Sequence, residues 1–197
     1  LLENVIKANI TEISDNKTWS RVNKRMYNAG MILPYYDNEE TFDTMYIVID
    51  TSGSVSSREL SQFKTIIKES MHHFKRIVKI DHDSDITNVD KFEINSIDNL
   101  FDENAPIGFH GRGGTSHKGV YELLESIYKG IPHKYSHITE SLDPSMVLLL
   151  TDFMSDIEHY HNQCEWVKEI PYKYIISGVE DLETVPNNID PNPIYIK

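Results

Sequence analysis

Five side chains that carry hydroxyl or carboxylate oxygens stand directly after predicted strands or glycines. They form a D-x-S-x-S motif, a threonine after paired glycines and an aspartate after an apolar run: Asp50, Ser52, Ser54, Thr115 and Asp152. Hard oxygen ligands of this kind suit Mg²⁺, Mn²⁺ or Ca²⁺. The residue types therefore predict a site for one divalent cation, with Mg²⁺ as the favoured ion and Mn²⁺ or Ca²⁺ as alternatives.

The hydroxyls and the carboxylates predict different tasks at such a site. Ser52 and Ser54 are two residues apart, so an extended turn points both hydroxyls the same way. If these hydroxyls and that of Thr115 bind directly while Asp50 and Asp152 act through water, little anionic charge touches the ion. The cation then stays electrophilic and seeks a carboxylate from outside the chain.

Other interpretations of the same residues remain open. Asp and Ser favour Asx-type turns and helix N-caps whatever the function, so Asp50, Ser52 and Ser54 alone fit a turn that caps the next helix. A metal-dependent hydrolase is a second alternative, because a bound cation activates water. No His, Lys or Glu in the three turns is placed clearly as its general base. A third alternative is a scaffold whose metal site is vestigial.

Buried strands precede two of the three turns. Met45 to Ile49 and Met146 to Leu150 are continuous apolar runs, typical of strands covered on both faces in a parallel sheet. Apolar side chains from Leu60 to Phe74 recur at intervals of three and four, which predicts an amphipathic helix. A second such helix is predicted over Val120 to Ile127, after a glycine-rich loop.

Further strands complete an alternating pattern. They are predicted at Ile77 to Ile80, Lys91 to Asn95, Tyr174 to Ile176 and Ile194 to Ile196. Asp81 to Asp85, between the first two, is interpreted as a solvated acidic turn. The alternation predicts a doubly wound α/β fold with a mostly parallel sheet. Ligands of such sheets gather outside the carboxyl ends of the strands, where the predicted site residues stand.

The N-terminal region is interpreted separately from this body. Leu1 to Asp15 has apolar residues at near-helical spacing and predicts a short helix. Lys17 to Glu40 has no clear period and is interpreted as a connector with one strand, Met31 to Tyr36. Residues 1–43 are therefore predicted to be an N-terminal helix and connector, and residues 44–197 the main domain.

Composition excludes several classes of partner. With 31 acidic and 19 basic residues the net charge is −12, which opposes binding to nucleic acid. The longest apolar run is too short to span a bilayer, so we expect no membrane partner. The single cysteine, Cys164, and a start without a leader-like segment predict a cytoplasmic location. A start at Leu1 instead of Met leaves open that the chain is a piece of a longer protein.

Three motifs imitate other sites and fail in detail. The loop before Thr115 nearly spells a phosphate-binding P-loop, but Gly114 stands where the lysine must reach the phosphates. The acidic turn imitates an EF-hand loop, but Ile86 occupies the position of its glycine. A group of soft-metal ligand types is interpreted as ordinary surface or core: His159, His161 and Cys164.

Taken together, the three oxygen-bearing motifs resemble the metal-ion-dependent adhesion site of von Willebrand factor A (VWA) domains. Their order, the gaps of roughly sixty and forty residues between them and the helix directly after Ser54 are similar to that family. The resemblance implies a three-layer Rossmann-like fold with helices on both faces of the sheet. It also implies a Mg²⁺ site formed by the five residues and a partner protein that supplies a Glu or Asp ligand.

More closely, the chain resembles the VWA-like domain at the C-terminus of bacterial and phage proteins described as metallopeptidases. Tyr46 to Ser56, with its D-T-S-G-S-V-S segment, and Gly111 to Thr115 carry this resemblance. It implies a protein-binding module that often works with AAA+ ATPases of the MoxR kind. Because the chain lacks an H-E-x-x-H motif, we expect it not to be an enzyme.

Two positions next to the site depart from the family pattern. Phe153 stands where relatives commonly have Gly, and Ser116 where many carry Asp or Asn. Both departures leave the five predicted metal residues intact. They change the expected shape of the surface that meets a partner.

Overall fold

The computed structural model describes residues 17–22, 34–36, 42–70, 74–93, 111, 113–139, 141–142, 145–152, 156–177, 189–190 and 193–196. The helix predicted at Leu1 to Asp15 and the ring of Phe153 lie outside these residues.

Eight strands and four helices lie in the described ranges. The strands are β1 (Lys17–Val22), β2 (Pro34–Tyr36), β3 (Phe42–Asp50), β4 (Phe74–His82), β5 (Ile86–Glu93), β6 (Ser145–Thr151), β7 (Tyr172–Ser177) and β8 (Ile194–Ile196). The helices are α1 (Ser57–Ser70), α2 (Lys118–Tyr128), α3 (Ile157–His161) and α4 (Trp166–Glu169).

Six of the strands form one sheet in the order β5-β4-β3-β6-β7-β8. Only β5 runs antiparallel to its neighbour, and the other pairings are parallel. Every residue of β6 is buried, as expected of a central strand covered on both faces. The predicted α/β fold with a mostly parallel sheet is confirmed.

Helices cover both faces because residues along each strand alternate between two cores. Ile47 and Ile49 belong to a core that includes Phe63 of α1. Tyr46 and Val48, which point to the other face of the sheet, belong to a second core that includes Leu124 of α2. Burying each large apolar side chain contributes about 1.5–3 kcal/mol, so this packing fixes the helices against the sheet.

The N-terminal connector is more regular than predicted. β1 and β2 pair antiparallel as a separate two-stranded sheet. The interpretation of Lys17 to Glu40 as a connector with one strand is therefore wrong for Lys17–Val22, whereas Pro34–Tyr36 lies within the predicted strand. The strand contains residue types that favour strands, namely Thr18, Trp19 and Val22. The segment has no clear hydrophobic period, so its strand becomes apparent only from its pairing with β2.

Two predictions near β4 are also corrected. Phe74 is not part of the first helix but begins β4, where it pairs with Phe42. Asp81 is not in a solvated turn: it lies within β4, fully buried, and its carboxylate accepts a hydrogen bond from the Lys79 ammonium at 2.7 Å. Pairing of β4 with β3 and β5 outweighs the local sequence signals, and Lys79 supplies the opposite charge that a buried Asp81 requires.

The chain changes direction across the sheet between β3 and β6. From β3 the chain passes through α1 to β4 on one side, and β6, β7 and β8 extend the sheet on the other. The carboxyl ends of β3 and β6 therefore flank a topological switch point, the usual place for a ligand in such sheets. None of the helices in the described ranges is long and apolar enough to cross a membrane.

Candidate metal centre

Asp50 ends β3, and its carboxylate is fixed by two neighbours. Oδ1 accepts a hydrogen bond from the Ser52 amide at 2.9 Å, and Oδ2 accepts one from the Thr151 hydroxyl at 2.9 Å. Asp50 is fully buried, and an ionised carboxyl group is costly to bury without such partners. These bonds connect the turn at 50–54, hereafter the aspartate turn, to the end of β6 across the switch point.

The two serine hydroxyls of the aspartate turn lie side by side. Ser52 Oγ and Ser54 Oγ are 3.0 Å apart, with Ser52 buried and Ser54 exposed. Neighbouring oxygens around an octahedral Mg²⁺ at about 2.0–2.1 Å lie about 2.9 Å apart, and those around the larger Ca²⁺ lie farther apart. The spacing fits Mg²⁺, and it also fits an ordinary hydrogen bond between hydroxyls.

Helix capping does not account for the aspartate turn. The hydroxyl of Ser56 accepts a hydrogen bond from the Glu59 amide at 3.3 Å, and the Glu59 carboxylate accepts one from the Ser56 amide at 2.6 Å. This reciprocal pair is a capping box at the start of α1. The Asp50 carboxylate does form an Asx turn with Ser52, but the cap of the helix is supplied by Ser56.

Asp152 follows the residue whose hydroxyl binds Asp50. Ile49 and Leu150 are paired in the parallel register of β3 and β6, so Asp50 and Thr151 end neighbouring strands. Asp152 is the next residue and is 7% exposed. The structure thus places Asp152 one residue beyond the strand end that is bonded to the aspartate turn.

Thr115 lies in a loop whose backbone contacts the aspartate turn. The segment from Gly113 to His117, hereafter the threonine loop, contacts the aspartate turn where the Gly53 amide donates to the Gly113 carbonyl at 3.1 Å. Thr115 itself is partly buried, and no hydrogen bond joins its side chain to another described residue. The contact that the structure shows between this loop and the aspartate turn is therefore the backbone hydrogen bond at Gly113, two residues before Thr115.

Close packing explains why a glycine precedes the threonine loop. Gly111 has a φ of +138°, and a Cβ placed there would lie 2.3 Å from Thr51 Oγ1. Both the backbone conformation and the close approach require glycine. Gly114 differs, because a Cβ there would meet nothing within 4 Å.

Two aspartates that the sequence did not single out as site residues hold the threonine loop. Asp83 accepts a hydrogen bond from the Gly113 amide, and Asp156 accepts bonds from the Ser116 hydroxyl and the His117 amide. Asp83 belongs to a turn that had been interpreted as a solvated acidic segment. Asp156 belongs to no motif identified in the sequence, and Asp83 belongs only to the turn that imitates an EF-hand loop, so the folded arrangement is needed to reveal the contacts.

A pair of buried histidines lies beneath the same loops. The rings of His82 and His117 pack edge to face with centroids 4.5 Å apart, and both residues are almost fully buried. Burial lowers the pKa of His82, and burial and the neighbouring His82 lower that of His117 further. Both rings are therefore neutral near pH 7 and contribute no positive charge that would repel a cation.

The donor set consists of hard oxygens rather than soft ligands. Within the described ranges, no group of three or more His, Cys, Asp or Glu side chains could hold a metal. Of the soft-metal candidates, His161 and Cys164 are buried and His159 is exposed. The mixed hydroxyl and carboxylate set predicted from the sequence is of a different kind, because three of its five members are Ser or Thr.

Comparison with known proteins gives a family. Residues 45–159 match the family described as VWA-like domain (DUF2201). The matched segment includes the aspartate turn, the threonine loop and Asp152. No curated protein shows significant similarity to the chain. Because the match spans more than half of the 197 residues, the chain belongs to the VWA-like domain family.

Proposed function

We propose that the chain is a protein-binding module that acts through one divalent cation, with Mg²⁺ favoured. Membership of the VWA-like family supports an interaction or metal-dependent role. The observation that carries the proposal is the aspartate turn at the switch point. Its serine hydroxyls lie 3.0 Å apart, and its Asp50 carboxylate is bonded to the end of β6.

The available oxygens fit the proposed division of ligands. Ser52, Ser54 and Thr115 would bind the cation directly through neutral hydroxyls, while Asp50 and Asp152 would accept hydrogen bonds from its water molecules. The Asp50 carboxylate already orients the Ser52 amide and accepts the Thr151 hydroxyl, which suits a supporting rather than a direct role. The chemistry of the set matches Mg²⁺, which prefers oxygen and keeps several waters.

A cation held mainly by neutral hydroxyls retains its affinity for anions. A Glu or Asp side chain of a partner protein is therefore the proposed sixth ligand. The net charge of −12 opposes an acidic partner at long range, but screening beyond about 8 Å at physiological salt leaves the short-range contact dominant. An AAA+ ATPase of the MoxR kind is the partner class that the family resemblance implies.

The proposal treats the chain as a binding protein and not an enzyme. A hydrolase would need a general base that reaches the cation's water. His82 and His117 are the nearest histidines described, and their burial at 0% and 1% exposure keeps them from a substrate. No observation on the described residues favours the hydrolase over the binding module. The vestigial-site scaffold predicts partner binding that is unchanged by chelation.

Calorimetric titration with Mg²⁺, Mn²⁺ and Ca²⁺ tests the metal site. The wild type is expected to bind one Mg²⁺, and Asp50→Ala and Ser54→Ala are expected to lose measurable binding. Ser56→Ala is the matched control, because it alters the adjacent cap and leaves the predicted ligands in place. Equal heats from the wild type and Asp50→Ala would contradict the proposal.

Partner binding is tested by comparing what the immobilised chain retains with and without a chelator. The proposal predicts retention that is lost with EDTA, restored by excess Mg²⁺ and absent in Ser54→Ala. Retention that is unchanged by EDTA, by excess Mg²⁺ and by Ser54→Ala would support the vestigial-site scaffold instead.

A further inference from the structure

The threonine loop is held from two sides by carboxylates that come from different parts of the chain. Asp83 lies in the turn between β4 and β5, and Asp156 lies just before α3. Neither belongs to the predicted metal set, and each contacts the loop within two residues of Thr115.

Asp83 holds the loop through both its side chain and its backbone. Its Oδ2 accepts a hydrogen bond from the Gly113 amide at 3.0 Å, and its carbonyl accepts one from the Ser116 amide at 2.8 Å. These two bonds lie on either side of Thr115 in the sequence. A loop segment fixed at both ends leaves the residue between them little freedom to move.

Asp156 holds the C-terminal end of the same loop. One carboxylate oxygen accepts the Ser116 hydroxyl at 3.0 Å, and the other accepts the His117 amide at 3.0 Å. Ser116 is the position at which the family often has Asp or Asn. Here a serine donates to an aspartate forty residues away, so the departure from the pattern is matched by a specific contact.

We propose that Asp83 and Asp156 are positioning residues, which hold the threonine loop so that the Thr115 hydroxyl stays at the candidate cation site. This inference rests on the proposed function, because it assigns these carboxylates to the same site. The two side chains act through hydrogen bonds to the loop and not as ligands. Outer residues that orient a metal ligand typically change metal affinity by about 10- to 100-fold when removed.

A simpler electrostatic explanation must be separated from positioning. Any carboxylate near the site attracts a cation, whether or not it holds the loop. An asparagine at 83 keeps an oxygen that accepts the Gly113 amide while removing the charge. At 156 it keeps an oxygen for the His117 amide, and its NH₂ group reaches the Ser116 hydroxyl. Asparagine variants therefore retain positioning and lose charge.

The experiment is a calorimetric titration with MgCl₂ of the wild type, Asp83→Ala, Asp83→Asn, Asp156→Ala and Asp156→Asn. Asp85→Ala is the matched control. This substitution removes a carboxylate from the same turn as Asp83. In the wild type, Asp85 Oδ1 accepts a hydrogen bond from the amide of the next residue, Ile86. Thermal unfolding in EDTA reports whether each variant folds.

Positioning predicts that each alanine variant binds Mg²⁺ about tenfold or more weakly. Each asparagine variant should return to within about threefold of the wild type, and Asp85→Ala should change affinity less than about twofold because exposed charges contribute little. If an alanine variant does not fold, its asparagine variant decides: affinity near that of the wild type supports positioning.

Two results would overturn the inference. Asparagine variants that bind as weakly as the alanine variants would assign the effect to charge. Folded alanine variants with wild-type affinity would show that the loop needs neither carboxylate. In both cases the wild type still binds Mg²⁺, so these failures differ from failure of the proposed function, in which the wild type itself gives no heat.

Discussion

Two regions of the molecule bury histidines, and the hydrogen bonding of the buried rings differs between them. Beside α2 and α3, His161 Nδ1 lies 3.1 Å from the Tyr174 hydroxyl, and Nε2 lies 3.3 Å from the Tyr172 hydroxyl. At the candidate metal centre, neither ring nitrogen of His82 has a hydrogen-bond partner among the described side chains. Both rings are buried, but only the His161 ring is hydrogen-bonded to neighbouring side chains.

The difference separates a structural cluster from a candidate binding site. Around His161, the tyrosine hydroxyls have identified partners: Tyr172 also donates to the Ile189 carbonyl at 2.6 Å, and the Tyr121 and Tyr174 hydroxyls share a hydrogen bond. At the candidate metal centre the polar groups are mainly oxygens that hold loops in place. Matched networks specify a core, whereas converging hard oxygens leave lone pairs for a cation.

The largest effect is expected from a substitution that pushes the loops of the metal centre apart. Gly111→Ala places a Cβ 2.3 Å from Thr51 Oγ1 at a positive φ, so we expect a loss of about 2–4 kcal/mol in the free energy of unfolding. Mg²⁺ binding should weaken as well. Urea unfolding and calorimetry measure both.

Gly114→Ala is the matched control for that substitution. Its Cβ meets nothing within 4 Å, so stability should change by less than about 1 kcal/mol. Equal losses in the two variants would show that the close approach of Gly111 to the aspartate turn does not exist.

Acid should destabilise both regions together. Burial lowers the pKa of His82, His117 and His161 below the ordinary value of about 6.5. The unfolded chain then binds more protons than the folded chain once the pH falls below about 6.5, so stability is present above that pH and lost below it. Each histidine adds a slope of up to about 1.4 kcal/mol per pH unit within its window.

Urea unfolding between about pH 7.5 and about pH 5.5 measures this loss. His161→Asn should flatten the slope and leave Mg²⁺ binding at neutral pH unchanged, since the hydrogen-bond partners of His161 are tyrosines outside the aspartate turn. Stability that stays constant over this range would mean that the rings are not held neutral by burial.

A smaller effect is expected among the hydrogen bonds around His161. Tyr172→Phe removes the donor to the Ile189 carbonyl and a partner of His161, so we expect a loss of about 1–2 kcal/mol in the free energy of unfolding. Mg²⁺ affinity should not change, because the metal centre shares none of these bonds. A change in affinity would break the separation of the two regions.

The smallest effect is expected at the cap next to the metal centre. Ser56→Ala removes the hydroxyl that accepts the Glu59 amide and should cost about 1 kcal/mol of stability. Mg²⁺ affinity should match the wild type in calorimetry. Loss of Mg²⁺ binding would show that the cap and the predicted ligands cannot be distinguished.

The sequence predicts the parts of the site that depend on local pattern and strand order. Asp50 and Asp152 could be placed just beyond strand ends because both preceding runs are typical of buried parallel strands, whereas the pairing of these two strands is apparent only in the structure. The contacts of Asp83 and Asp156 could not be predicted, because each joins residues that are thirty or more positions apart in the sequence. Asp81 was misplaced for a similar reason, since its partner Lys79 becomes apparent only when β4 is buried.

The most direct test of the central claim is a crystal structure of the chain with Mn²⁺, whose anomalous scattering identifies the ion. Convergence of the three loops predicts one Mn²⁺ with the Ser52, Ser54 and Thr115 hydroxyls as ligands at about 2.0–2.2 Å, and with Asp50 and Asp152 hydrogen-bonded to its waters. An ion bound elsewhere, or no ion at saturating Mn²⁺ with Thr115 turned away from the aspartate turn, would contradict the account.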